Sequence, residues 1–134
     1  MARDITLSIV APDKSVMEEP VSSIVAPGTE GYFGVQAGHE PLVASLKAGL
    51  LEYVQNGQRS FVYIGGGFAE VRPDRVTILA DEAELAQNIS LAHAEADLEK
   101  ARAGLQGEGV MGSDESVQQI EKAIQRLRAA RIVK

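Results

Sequence analysis

The chain has 134 residues, a formal net charge of −6 at pH 7 and no cysteine, and hydrophobic residues make up 45% of it. This length allows one compact core with an appendage but not two full domains, and the absence of cysteine excludes a disulfide framework and a thiolate nucleophile. The acidic balance argues against nucleic-acid binding, which needs a basic surface. Because the sequence has no long apolar run, we expect no membrane span and no signal peptide.

The first part of the chain has the alternation expected of short strands. Ile5, Leu7 and Ile9 alternate with residues that face the other way, which is the period of two of a strand with one face on a core. Residues 16–17 and 22–26 continue the pattern, and each run is stopped by a turn or a proline. These segments predict three strands near the N-terminus.

Two hairpins are predicted in the middle of the chain. Residues 50–64 surround Asn56-Gly57, and this dipeptide tolerates the positive φ angles that a two-residue type I′ turn requires. Residues 68–79 repeat the arrangement around a turn that contains a proline. Together with the first strands this spacing predicts about ten short strands in a β-sandwich.

After residue 79 the apolar period changes from two to about 3.6, which is typical of amphipathic helices. The glycine-rich stretch 104–112 separates two such patterns, and Ser113 is the predicted cap of the second helix. The first stripe consists of Leu91, Ala94, Leu98, Ala101 and Leu105, and the second of Val117, Ile120, Ile124 and Leu127. We therefore predict a β + α fold, with a β-sandwich at residues 1–84 and an antiparallel two-helix hairpin at residues 88–134.

The hairpin is predicted to be only marginally stable by itself. Its apolar side chains would contribute roughly 1.5 to 3 kcal/mol each on burial, against roughly 1 to 2 kcal/mol of backbone entropy for each ordered residue. Its stability must then depend on what it packs against. A partner or a ligand would be able to shift it between folded-down and extended forms.

One strand is apolar on both faces. Phe61 and Tyr63 lie on one face, and Val62 and Ile64 lie on the other. Because a sandwich core uses only one face of a strand, the other face should meet something else. Two interpretations stay open, an inner strand of a tight sandwich and a partner interface that contains Phe61 and Tyr63.

No catalytic or metal site is predicted from the sequence. The run at residues 65–67 lacks the Gly-Lys-Ser/Thr of a phosphate loop, so a bulge or a close backbone approach explains it better. His39 and His93 are the two histidines of the chain, and neither has a serine or cysteine beside it in a nucleophile motif.

The C-terminal end of the chain is basic. From residue 122 onward the sequence contains no acid, and bases at a helix C-terminus are favoured by the helix dipole in any case. Together they would also steer the helix toward an acidic partner surface. These bases are Lys122, Arg126, Arg128, Arg131 and Lys134.

The order of these features resembles the epsilon subunit of bacterial and chloroplast F-type ATP synthases over essentially the whole chain. Residues 28–35 and 38–42 resemble the family's turn and its Gly-His-x-Pro-Leu loop, and residues 64–71 and 76–81 resemble its later strands. Any one of these segments would be a weak match, whereas the combination is specific.

The resemblance implies a non-catalytic rotor subunit at the cytoplasmic face of the cell membrane. Its sandwich would bind the gamma subunit and rest on the ring of c subunits, coupling proton passage to ATP synthesis. Its hairpin would extend into the catalytic alpha/beta head and impede ATP hydrolysis. The implied contacts to gamma and the ring are Glu30, Gly31, His39, Pro41, Phe61 and Tyr63, and those to the head are Lys122, Arg126, Arg128 and Arg131.

Some members of this family bind ATP through a motif Ile-Asp-x-x-Arg-Ala at the start of the first helix. In this chain Ser90 replaces the aspartate and His93 replaces the arginine, while Glu84 and Arg126 match other contacts of that site. The replacements remove a carboxylate acceptor and a permanent cation. We therefore predict weak or no ATP binding and no cofactor.

Two other functions are compatible with the residues alone. A free-standing β-sandwich binding module with a helical oligomerisation tail would associate with itself through the helices. A small hydrolase would show turnover that survives purification. The rotor subunit would instead co-purify with gamma.

Overall fold

A computed structural model describes residues 3–107 and 114–133 of the chain. In this part of the chain there are eight strands, a short 3-10 turn at Ala86–Asn88 and two α-helices. The strands are β1 (Ile5–Ala11), β2 (Lys14–Val21), β3 (Ser23–Gly28), β4 (Gly31–Val35), β5 (Leu42–Gln55), β6 (Gln58–Val71), β7 (Arg75–Ala80) and β8 (Ala83–Leu85). The helices are α1 (Leu91–Gly107) and α2 (Asp114–Ile132).

The strands are hydrogen-bonded in the order β2-β1-β7-β6-β5-β3-β4, with β8 paired to β6. The pairing of β1 with β7 is parallel, and the other pairs of the described residues are antiparallel. The predicted β-sandwich followed by two helices is confirmed. The predicted hairpin at Asn56-Gly57 is confirmed as well, since φ is 52° at Asn56 and 78° at Gly57.

The predicted number of about ten short strands is too high, because two strands are long. β5 and β6 have 14 residues each and pair from Leu42 opposite Val71 to Gln55 opposite Gln58. The sequence suggested separate strands on either side of residues 65–67. Pairing with β5 continues through these glycines, so β6 is continuous.

The main core lies between the strands. Its side chains come from the inward-facing positions, which alternate along each strand. Ile5, Leu7 and Ile9 of the predicted first strand are completely buried. The other fully enclosed members include Val62, Ile64, Ala69 and Ile78.

A second cluster lies between the sheet and the helices. Its buried members are Leu50, Tyr63, Ala86, Ile89, Ala94, Leu98, Leu127, Ala129 and Ala130. Both predicted helical stripes therefore turn toward the sandwich, with Ile120 and Ile124 partly buried. Val117 was predicted to belong to the stripe but is 42% exposed, one turn before Ile120.

Four of the sequence predictions fall where the structure gives no description. The predicted cap Ser113 and the glycines at 109 and 112 lie outside the described residues, as does Lys134. The side chain of Leu105 is also outside the description.

Candidate functional site

Tyr63 lies at the centre of the contact between the sheet and the helices. Its side chain is 1% exposed, and it belongs to the same cluster as Leu127 of α2 and Leu98 of α1. Phe61 is partly buried against these helices too. The prediction that Phe61 and Tyr63 meet a partner protein is thus corrected for this conformation, because the chain's own helices cover the second apolar face of β6.

The hydroxyl of Tyr63 donates a hydrogen bond to Glu82 Oε1 at 2.9 Å. Burial is the largest cause that raises the pKa of Tyr63 above its ordinary value, followed by the negative charge of Glu82. Both causes oppose the tyrosinate form. The tyrosine therefore acts as a neutral hydrogen-bond donor beneath the hairpin.

Five charged residues join α2 to the sandwich and to α1. Arg126 Nε lies 2.7 Å from Glu84 Oε1, and its Nη2 donates to Glu84 Oε2 at 3.3 Å, which makes the pair bidentate. Arg126 Nη1 also lies 3.0 Å from Asp97 Oδ2 on α1. Lys122 Nζ lies 4.0 Å from Glu82 Oε2. We name this group the ionic latch; it consists of Glu82, Glu84, Asp97, Lys122 and Arg126.

The hydrogen bond from Arg126 to Glu84 is the largest cause that raises the pKa of the guanidinium further above its usual value. The side chain of Arg126 is only 22% exposed, so water screens this pair less than an ordinary surface pair. Removing Glu84 would therefore leave a poorly solvated cation at the interface. Arg126 is the best-anchored member of the latch.

The bases predicted to bind the catalytic head are mostly engaged within the chain. Lys122 and Arg126 belong to the ionic latch, and Arg131 Nη2 lies 3.6 Å from Glu95 Oε2 in an exposed pair. Arg128 is exposed, donates to Gln125 Oε1 at 2.7 Å and pairs with no carboxylate of the described residues. Arg128 is thus the base of this set that has no ion pair among the described residues.

An open cavity of about 770 Å³ lies between the sandwich and the hairpin, beside the apolar contact that joins them. Its lining includes Glu84 and Arg126, and it also includes further charged residues of both signs, such as Asp81 and Lys100. Ser90 and His93 are not part of this lining. The structure therefore brings together two of the four positions considered for ATP and leaves the other two apart from them.

Ser90 has a local structural role at the start of α1. Its Oγ accepts a hydrogen bond from the backbone N–H of His93 at 3.3 Å, which is the geometry of a helix N-cap. The side chain of His93 is exposed. Ser90 therefore acts as the cap of α1.

A different surface of the sandwich exposes large apolar side chains. Phe68 is 57% exposed, Leu79 is 54% exposed and Val43 is 71% exposed. Phe68 pairs with Leu79 across β6 and β7, and Val43 pairs with Glu70, two residues along β6 on the same face. We name Val43, Phe68 and Leu79 the apolar strip.

Sequence reasoning missed the apolar strip because it singled out Phe61 and Tyr63 instead. The available signal was the alternation at the end of β6. Since Ala69 and Val71 face the core, Phe68 and Glu70 have to face outward, and a phenylalanine at an outward position is unusual enough to indicate a contact surface.

The residues predicted to contact the ring lie on two turns. Glu30 and Gly31 form the exposed turn between β3 and β4, where Gly31 has φ 132°, a conformation that favours glycine. In the other turn His39 Nδ1 is hydrogen-bonded to Glu40 O at 2.7 Å, and Pro41 is exposed. These turns are therefore accessible from outside.

Next to the first turn, Tyr32 is 47% exposed, and its hydroxyl accepts a hydrogen bond from Leu50 N at 3.2 Å. Lys47 Nζ lies 5.5 Å from the centre of the Tyr32 ring, within the range of a cation–π contact.

Within residues 3–107 and 114–133, no group of His, Cys, Asp or Glu side chains has the arrangement to hold a metal ion. In the same residues no helix combines the length and hydropathy of a membrane span.

Comparison with known proteins places these features in a family. The family model described as ATP synthase, Delta/Epsilon chain, beta-sandwich domain matches residues 4–86. An ATP synthase epsilon chain of Desulforamulus reducens is 40% identical over 97% of this chain and 99% of its own length. An ATP synthase epsilon chain of Pelotomaculum thermopropionicum is 47% identical over 71% of each chain.

A solved structure is similar over nearly the whole chain. It is the Euglena gracilis mitochondrial ATP synthase, in a complex described as OSCP/F1/c-ring. The matching chain is 30% identical, with a TM-score of 0.75, and the match covers 99% of this chain and 82% of that one. The similarity therefore includes the helical part as well as the sandwich.

The raised pKa of Tyr63 predicts a pH dependence of stability. In the unfolded chain a tyrosine ionises near pH 10, whereas Tyr63 stays protonated in the folded chain, so its contribution is complete below about pH 10 and declines as the pH rises further. Between about pH 9 and pH 11, the range around the tyrosine pKa of the unfolded chain, we expect the free energy of unfolding to fall more steeply for the native chain than for Tyr63→Phe. Urea unfolding at each pH measures both proteins, and parallel profiles would contradict the expectation.

Proposed function

Because this chain belongs to the ATP synthase delta/epsilon family, we propose that it is a rotor subunit that links the gamma subunit to the c-ring. It is a non-catalytic subunit of the ATP synthase. In this proposal it turns with the rotor and so helps to couple proton passage to ATP synthesis, at the cytoplasmic face of the membrane. The observation that carries the proposal is the near full-length similarity to epsilon chains, combined with two separate contact surfaces on one sandwich.

The gamma subunit is proposed to bind the apolar strip. Val43, Phe68 and Leu79 are the large apolar side chains that the sheet leaves exposed together, and the other apolar face of the sheet already lies beneath the hairpin. Covering Phe68 and Leu79 would remove apolar surface from water, which is the main favourable contribution to protein association. This assignment replaces Phe61 and Tyr63 as the contact surface for gamma.

The c-ring is proposed to bind the two exposed turns. Glu30 and Gly31 on one turn and His39 and Pro41 on the other offer polar groups and backbone rather than a large apolar area. Such a surface suits the polar loops of a membrane ring, which stay in contact with water. Tyr32, with the Lys47 ammonium over its ring, adds an aromatic side chain beside the first turn.

The hairpin is proposed to regulate ATP hydrolysis by changing partners. In the folded-down form Lys122, Arg126 and Arg131 are paired with acids of this chain. When the hairpin extends, the same bases would meet acidic residues of the catalytic head and impede hydrolysis. The two forms compete for one set of cations, so the equilibrium between them depends on the difference in these contacts.

The helices pack against their own sandwich, which disfavours the alternative of an oligomerisation tail. Leu98 and Leu127, which would form a self-association stripe, are 8% and 6% exposed. No separate observation favours a hydrolase. The rotor subunit is therefore the function that the arrangement supports.

Replacing Phe68 with serine is expected to weaken binding to gamma about fivefold or more, because a central aromatic contact typically contributes about 1 kcal/mol or more to an interface. Calorimetric titration of the full chain with gamma measures the change. Val117→Ser is the matched control, since Val117 is also exposed but lies on α2, away from the apolar strip. Equal affinities of the native chain and Phe68→Ser would show that gamma binds elsewhere.

Deleting residues 113–134 is expected to raise ATP hydrolysis by the reconstituted complex severalfold while assembly is retained. Arg128→Glu tests the same contact without removing the helix that covers Tyr63. Because Arg128 lies outside the ionic latch, this variant should weaken inhibition and leave the folded-down form intact. Steady-state hydrolysis with and without each variant is the measurement, and unchanged rates for both would remove the inhibitory role but leave the stalk role.

ATP is proposed to bind weakly or not at all. Arg126, which lines the cavity between the sandwich and the hairpin, is already paired with Glu84 and Asp97, and Ser90 is used as a helix cap. Calorimetry of the native chain should therefore show no micromolar affinity. The double variant Ser90→Asp/His93→Arg restores the missing groups and should bind more tightly than the native chain; micromolar affinity of the native chain would refute the proposal.

A further inference from the structure

Gly65 lies directly beneath the contact between Tyr63 and Glu82. Its backbone N–H donates to Glu82 O at 2.8 Å, which places the turn after β7 against β6. A Cβ atom added at Gly65 would lie 2.8 Å from the Tyr63 hydroxyl oxygen, 2.9 Å from Glu82 Oε1 and 2.9 Å from Glu82 Cβ. The space that a side chain would need is filled by the hydrogen bond between these two residues.

The neighbouring glycines are constrained for different reasons. Gly66 and Gly67 have φ angles of 100° and 139°, whereas φ at Gly65 is not in this positive region. A Cβ at Gly67 would collide with the backbone carbonyl of Leu79. Gly67 is thus required by the sheet itself, while Gly65 has a backbone conformation that other residues adopt.

We propose that Gly65 is a positioning residue for the folded-down hairpin, because its lack of a side chain lets Tyr63 and Glu82 meet under α2. Glu82 in turn lies 4.0 Å from Lys122 of α2 through its other oxygen. Tyr63 contacts α2 from below through the apolar cluster that contains Leu127. The inference rests on the proposed regulatory function only in that it concerns the same hairpin movement.

A side chain at position 65 has two ways to fit, and both disturb the hairpin. If the Tyr63 hydroxyl moves, the buried ring shifts against Leu127 and Leu50. If Glu82 moves, its Cβ has to move with the backbone, since that atom is not the end of a flexible side chain. The first movement disturbs the apolar packing beneath α2, and the second separates Glu82 from Lys122, so each favours the opened form.

The test uses the isolated full chain and the variant Gly65→Ala. Because the chain contains no cysteine, one spin label on a cysteine at Gln58 of the sandwich and one at Glu115 of α2 report the position of the hairpin by pulsed electron resonance. We expect Gly65→Ala to raise the opened fraction about tenfold or more, the effect of losing one hydrogen bond to a charged group. Gly34→Ala is the matched control, since a Cβ there would meet Ile24 O at an ordinary 3.8 Å.

A second substitution separates positioning from general damage to the sheet. Tyr63→Phe removes the hydroxyl that a Cβ at residue 65 would meet, so adding Gly65→Ala to Tyr63→Phe should open the hairpin less than it does in the native background. Equal effects in both backgrounds would overturn the proposal. A hairpin that stays as closed as the native one in Gly65→Ala would also overturn it, and so would global unfolding of Gly65→Ala seen by circular dichroism.

The outcome of this experiment does not depend on whether the proposed function is right. It requires neither gamma nor the catalytic head, so the position of the hairpin is measured whether or not the chain inhibits hydrolysis. If Gly65→Ala opens the hairpin but leaves hydrolysis by the assembled complex unchanged, the positioning role of Gly65 stands and the inhibitory function falls. If hydrolysis responds to Arg128→Glu while the hairpin of Gly65→Ala stays closed, the inhibitory function stands and the positioning role of Gly65 falls.

Discussion

The burial of Tyr63 and Leu50 beneath α2 is the contact on which the arrangement of the whole chain depends. β6 carries apolar side chains on both faces in its first half, and only one face can point into the sandwich. The other face has to be covered, and Leu127, Ala129 and Ala130 of α2 cover it. The apolar stripes of the two helices are buried by the same contact, so the sheet and the helices remove each other's apolar side chains from water.

The apolar contact and the ionic latch contribute differently to this arrangement. Each large buried apolar side chain contributes roughly 1.5 to 3 kcal/mol, whereas an exposed ion pair contributes about 0 to 1 kcal/mol. The apolar cluster therefore supplies most of the stability of the folded-down form. The bidentate contact of Arg126 with Glu84 and its bond to Asp97 determine where α2 lies. The two acceptors of this one guanidinium belong to different elements, β8 and α1.

The two sides of β6 lead to two different functional surfaces. Toward its end β6 presents Phe68 outward beside Leu79, and near its middle it presents Tyr63 toward the hairpin. Gly65, Gly66 and Gly67 lie between these positions and keep the strand paired with β5 while its outer neighbour changes from β8 to β7. This single strand therefore contributes to both the exposed apolar strip and the contact with the hairpin.

Local features of the chain were determined by the sequence alone. The alternation of Ile5, Leu7 and Ile9, the Asn56-Gly57 turn and the two helical periods are short-range patterns, and each appears in the structure because backbone sterics and side-chain direction act over a few residues. The tertiary structure alone decided which apolar face is covered and which is left open. That choice depends on the pairing of Phe68 with Leu79 and on the packing of Tyr63 against Leu127, contacts between residues far apart in the chain whose energies no local pattern contains.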